Sequence, residues 1–124
     1  MLSDFPIYHT LPASDLARAR RFYEETLGFT VDSATPAGVM YRVKDSTLFV
    51  YPSTFAGTNK ATAAGFEVKD LAAAVAELKA RGVRFEEYDL PDFKTVGGIF
   101  RSPVGLASWF KDSEGNIIGL IQRD

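Results

Sequence analysis

The 124-residue chain has no cysteine, which rules out disulfides, zinc–thiolate sites and thiol nucleophiles. It has one histidine, His9, within "PIYHTLPASD", and whether that ring reaches a metal separates a metalloenzyme from a binding cup. Charge of one sign is also lacking. Fourteen Lys and Arg stand against sixteen Asp and Glu, a net charge of -2, and the two signs are interspersed. There is no basic stripe to neutralise phosphates and no polybasic run to hold a membrane, so neither nucleic acid nor lipid is an expected partner. No stretch approaches the ~18 apolar residues of a membrane span, and "MLSDFPIYHT" lacks the form of a signal peptide. The expectation is a soluble cytoplasmic protein, and the length suits one domain.

What is present is a pattern that occurs twice. "SDLARARRFYEETLGF" sets Leu16, Ala19, Phe22, Tyr23 and Leu27 near one helical face behind a capping Ser14 or Asp15. "DLAAAVAELKARGV" does the same with Leu71, Ala74, Val75 and Leu78 and stops at Gly82. One strand precedes each helix, "PIYHTL" and "AAGFEV". Three follow each: "FTVDSA", "GVMYRV" and "STLFVY", then "VRFEEYD", "LASWFK" and "NIIGLIQ". Asp15-Leu16-Ala17 recurs as Asp70-Leu71-Ala72, an offset of 55 residues (70 − 15). The order is βαβββ twice, a tandem duplication.

The runs "LPASDLARARRFYEETLGF", "FEVKDLAAAVAELKARGV" and "WFKDSEGNIIGLIQ" together resemble the vicinal oxygen chelate superfamily, which includes glyoxalases, extradiol dioxygenases and bleomycin-binding proteins. The resemblance spans nearly the whole chain. It implies an α+β fold in which two βαβββ modules, about 1–55 and 60–124, form a curved half-barrel sheet with helices on the convex side. It also implies a homodimer with clefts on the concave side. In metal-dependent relatives four side chains in the cleft bind one divalent ion, and they are His, Glu or Gln because those groups offer a lone pair at the required reach. Carried onto this chain, those places fall on Tyr8, Phe49, Ala63 and Gly119. Such a set offers at best one phenol, so no metal site and no cofactor are expected. His9 is one residue out of register, and strand alternation turns it to the side of Ile7 and Leu11, toward the helices. There a structural imidazole with a backbone or polar partner is expected.

With the ion gone, the expected function is binding of a flat or partly apolar small molecule in an aromatic-lined cleft. The residues expected to touch it are Tyr8, Thr10, Phe49, Tyr51, Ala63, Trp109, Gly119 and Arg101. Small residues at Ala63, Gly65 and Gly119 are expected to leave a vacant floor, and alternation admits either Trp109 or Phe110 to the cleft. The segment from Tyr88 to Gly105, rich in proline and glycine, reads as a long loop of the kind that forms lids. In it Phe93 or Phe100 is placed to cap a ligand, and Lys94 and Arg101 to neutralise an acidic one. The alternative is a glyoxalase-like lyase or isomerase with a non-standard site using a tyrosine, Glu67 or His9, and for that reading no catalytic residue is assigned.

Overall fold

The computed structural model describes all residues, 1–124. Strand β1 (His9–Ala13) leads into helix α1 (Leu16–Arg20), which continues as a π-helical segment over Arg21–Thr26. Strands β2 (Thr30–Thr35), β3 (Gly38–Val43) and β4 (Ser46–Pro52) complete a four-stranded sheet in the order β1-β4-β3-β2. The pattern then restarts with β5 (Thr62–Glu67) and α2 (Leu71–Ala80). It ends with β6 (Asp89–Leu90), β7 (Phe93–Val96), β8 (Ile99–Ser102), β9 (Gly105–Lys111) and β10 (Ile117–Arg123), in a sheet ordered β5-β10-β9-β8-β7-β6. In each sheet the strand before the helix pairs parallel with the last strand, and every other pairing is antiparallel. This is the α+β architecture of open curved sheets that the resemblance implies. The repeat also reaches the backbone: Asp15 and Asp70 cap their helices at φ −135°, ψ 100° and φ −133°, ψ 94°, each accepting from the amide three residues on.

One face of β1, β3, β4, β9 and β10 packs under the helices. Leu11, Tyr41, Leu48 and Val50 from the first sheet and Phe110, Ile118 and Leu120 from the second are buried together with Ala19, Tyr23, Leu71 and Val75 from the helices. The hydrophobic effect therefore fixes which face is convex, and alternation assigns the remaining side chains to the concave one.

The segment expected as a long loop is instead a strand meander. β6, β7 and β8 extend the second sheet beyond β9. Gly97 and Gly98, at φ 62° and 81°, make the two-residue turn between β7 and β8, where only glycine enters both left-handed positions without strain. "VRFEEYD", expected as a full strand, contributes only a bridge of Phe85 to Phe110, the Glu86 amide donating to the Trp109 carbonyl, and the first residue of β6. β8 pairs with the Gly105–Ala107 end of β9, so the edge of β9 is shared between two pieces of chain.

The two modules are fastened by the "DSEGN" turn between β9 and β10. Glu114, whose side chain is fully buried, accepts from Arg18 Nε at 2.8 Å, Arg18 Nη2 at 3.0 Å, the Asp15 amide at 2.9 Å and the Ser113 hydroxyl at 2.8 Å. Asp112 accepts from the buried Tyr23 hydroxyl at 2.5 Å and from the Asn116 amide and side chain at 2.8 Å each. Asn116 Nδ2 donates to the Pro12 carbonyl at 2.8 Å. Burial alone raises the pKa of the Glu114 carboxyl, but the donors from Arg18, Asp15 and Ser113 outweigh it and hold it down at about 2.

Because the folded-state pKa of Glu114 lies below that of an unfolded glutamate, its contribution to stability is complete above about pH 4.5 and is lost as pH falls toward 2. Allowing for the exposed side of Arg18, Glu114→Gln is expected to cost on the order of 2 kcal/mol at neutral pH. In urea unfolding measured at a series of pH values, the gap from the unmodified chain should close across that acid window. Ser108, fully buried on the core side of β9, has a hydroxyl with no hydrogen-bond partner. Ser108→Ala is expected to raise stability by up to about 1 kcal/mol in the same assay.

Candidate functional site

The concave face is built from the side chains that alternate with the core row. On β4, Phe49 and Tyr51 stand two residues apart, their rings stacked at 6.0 Å with 9° between planes. Thr10 of β1 lies opposite Phe49 and Pro12 opposite Tyr51. The Phe49 ring lies over β3 because residue 38 is glycine: a Cβ there would fall 2.5 Å from Phe49 Cζ. In the second module Phe110 is buried in the core, so Trp109 is the residue of the pair that faces the concave side. Its indole sits among Tyr88 (5.7 Å), Phe93 (5.2 Å) and Phe100 (6.4 Å), and Phe93 stacks on Phe100 at 4.6 Å. Phe93 and Phe100, the rings expected to cap a ligand, both stand against Trp109, while Tyr88, which the sequence did not single out, joins them through the meander. Its sequence signal was Gly97-Gly98 between β-branched residues.

The expected site residues do not all converge. Tyr8 precedes β1 and is more than half exposed. Ala63 is the extra residue of a bulge, because Thr62 pairs with Ile117 and Ala64 with Ile118. Gly119 opens no vacant floor. Trp109 Cδ1 and Nε1 lie 3.5 Å, and the Thr62 methyl 3.2 Å, from where its Cβ would be, so the indole already occupies that space. Arg101 pairs with Leu106, and its neighbour Phe100 with Ala107. Alternation thus turns Arg101 to the face opposite Phe100 and Trp109, which corrects its placement beside a concave-face ligand. Lys94 pairs with Asp89 at 3.8 Å. The two aromatic sets belong to different sheets, and no ring pair links them.

His9 lies opposite the buried Leu48 and shares its face with Leu11, the helical side, as alternation requires. It is exposed there rather than packed in the core, and its ring makes no hydrogen bond, so the expected structural contact does not form. Glu67, opposite Ile121, accepts from Arg123 Nε at 2.8 Å and Nη2 at 2.9 Å. Those bonds lower its pKa and hold it as a carboxylate. No three His, Cys, Asp or Glu side chains come together anywhere in a way that could hold a metal ion. The divalent ion of the metal-dependent relatives therefore does not fit these residues. No helix is long and apolar enough to cross a membrane.

Comparison with known proteins agrees with this geometry. No curated protein sequence matches the chain. Among solved structures it is similar to TnmS3, an antibiotic binding protein from Streptomyces sp. CB03234. The two share 25% identity over 97% of this chain and 98% of that one, with a TM-score of 0.69. It is similar also to a glyoxalase/bleomycin resistance protein from the same Streptomyces strain, at 26% identity over 93% and 97% of the two chains and a TM-score of 0.63. A lactoylglutathione lyase from Agrobacterium tumefaciens shares the fold at 20% identity over 94% and 92%, with a TM-score of 0.67. Residues 7–120 match the Glyoxalase/Bleomycin resistance protein/Dioxygenase superfamily, and the chain belongs to that family in a form that lacks the metal ligands.

Proposed function

We propose that this chain is a metal-free small-molecule binding protein of the cytoplasm, working as a homodimer and folding as one domain from residue 1 to 124. It holds a flat, partly apolar ligand against its concave face. The observation that carries the reading is the chemistry of that face: Phe49, Tyr51 and Trp109 stand half-exposed on it, while no donor cluster for an ion exists. Half-exposed rings offer stacking and apolar area at low entropic cost, and Thr10 with the Tyr51 hydroxyl supplies polar handles. The similarity to an antibiotic binding protein supports a binding role. A lyase or isomerase needs a free acid or base beside its substrate, and Glu67 is engaged by Arg123. The apolar side chains of Leu2, Phe5 and Ile7, 86%, 65% and 84% exposed, support a second copy of the chain as cover for the N-terminal segment.

Trp109 is the only tryptophan, so its fluorescence reads the concave face directly. Titration with a planar aromatic probe such as acridine is expected to quench it saturably. Phe49→Ala and Tyr51→Ala should each weaken binding by about tenfold, whereas Arg101→Ala should leave it unchanged. Quenching that is not saturable, or that ignores both ring deletions, would remove the concave face as the site. Native mass spectrometry of the freshly purified protein should show a dimer with no stoichiometric metal.

A further inference from the structure

At one end of the seam between the modules, chiefly on the helical side but reached at its rim by Thr47, Gly65 and Glu67 of the concave row, lies a cavity of about 230 Å³. Its walls are core residues from both halves: Leu11 and Leu48 from the first sheet, Phe66 and Ile118 from the second, and the ring of Tyr23 from the π-helical segment. The repeat explains why the space exists. Residue 9 + 55 = 64 is the counterpart of His9 in the second module, and there the core row of β5 carries only a methyl group, at Ala64, before Phe66. His9 itself stands at the mouth rather than filling the gap.

The rim decides what would enter. It carries His9, Lys44, Ser46 and Glu67. Glu67 is the only acid among the lining residues, and both of its oxygens are taken by Arg123. The side chains of His9, Lys44 and Ser46 make no hydrogen bond or ion pair within the chain, so the free groups at the mouth are an imidazole, an ammonium and a hydroxyl, all able to donate to an anion. Deeper in, the Tyr23 hydroxyl is committed to Asp112, which leaves the interior without an available donor. A ligand that fits has one anionic end and one apolar body. The volume lies just below the usual range of small-molecule pockets, about 300–1,000 Å³, so the body is a short acyl chain or a single ring.

We propose that this cavity is a second ligand site, separate from the concave face, that takes a small amphipathic monocarboxylate with its apolar end between Leu11 and Phe66 and its carboxylate at His9 and Lys44. Calorimetric titration of the full chain with octanoate, octanol and octylammonium tests it. Octanoate is expected to bind saturably, with octanol and octylammonium weaker in that order. Lys44→Asn keeps a residue tolerant of the left-handed backbone there (φ 53°). It should weaken octanoate about threefold, the scale of an exposed charge pair, and leave octanol unchanged. Ala64→Phe fills the space and should abolish binding of both. Ala64→Leu, a smaller change, should weaken both if the larger residue impairs folding, as judged by thermal melting. Phe49→Ala should have no effect, which distinguishes this site from the concave one. Absence of saturable octanoate binding would overturn the proposal. So would binding that Ala64→Leu leaves undiminished in a folded variant, or octylammonium binding as well as octanoate.

Discussion

The carboxylate of Glu114 fastens one half of the molecule to the other. β1 and β5 meet at the seam, yet they share no ladder of backbone hydrogen bonds, so the modules are joined by side chains and by the core. Glu114 collects the start of α1 through Arg18 and the Asp15 amide, while Asp112 and Asn116 in the same turn hold Tyr23 and the Pro12 carbonyl. A charge buried with all its partners is tolerable, and the same charge without one of them is costly. The clasp therefore fixes a single relation between the modules, and with it the curvature of the face they share.

That constraint also accounts for the π-helical segment. Tyr23 must deliver its hydroxyl to Asp112 while its ring packs against Phe29 and Tyr41. The widened turn over Arg21–Thr26, closed by Leu27 N–H to the Phe22 carbonyl, is the local backbone that accompanies this placement. The same ring then forms a wall of the cavity at the seam. One buried tyrosine thus links the clasp, the helix geometry and the void beside it.

Much of this was legible in the letters. The two aspartate caps at a spacing of 55 residues announced the duplication, and strand parity gave the face of His9 and the inward turn of Leu11. What failed was the reading of Tyr88 to Gly105. Proline and glycine mark loops and hairpin turns alike, and Gly97-Gly98 is the turn of a hairpin whose strands are too short to show alternation. The short strands hide Tyr88 as a neighbour of Trp109 and leave the face of Arg101 unreadable. The vacancy assigned to Gly119 failed for a different reason. Counting small residues along a strand says nothing of a large ring on the neighbouring strand, and Trp109 fills the space from β9.

The distribution of charge completes the functional argument. The carboxylates whose pKa values move are held down by donors: Glu24 by Arg20, Glu67 by Arg123, Glu87 by Thr95 and Glu114 chiefly by Arg18, in the last case against the effect of burial. A depressed carboxylate is a poor proton acceptor at neutral pH, and each of these is committed to a structural partner. The concave face is left with rings and hydroxyls, groups that bind by contact and orientation. Under the proposed function, recognition there would rest on shape and stacking. The unpaired His9 and Lys44 lie across the sheet from those rings, at the mouth of the cavity, and it is on that side that a ligand's charge would be read.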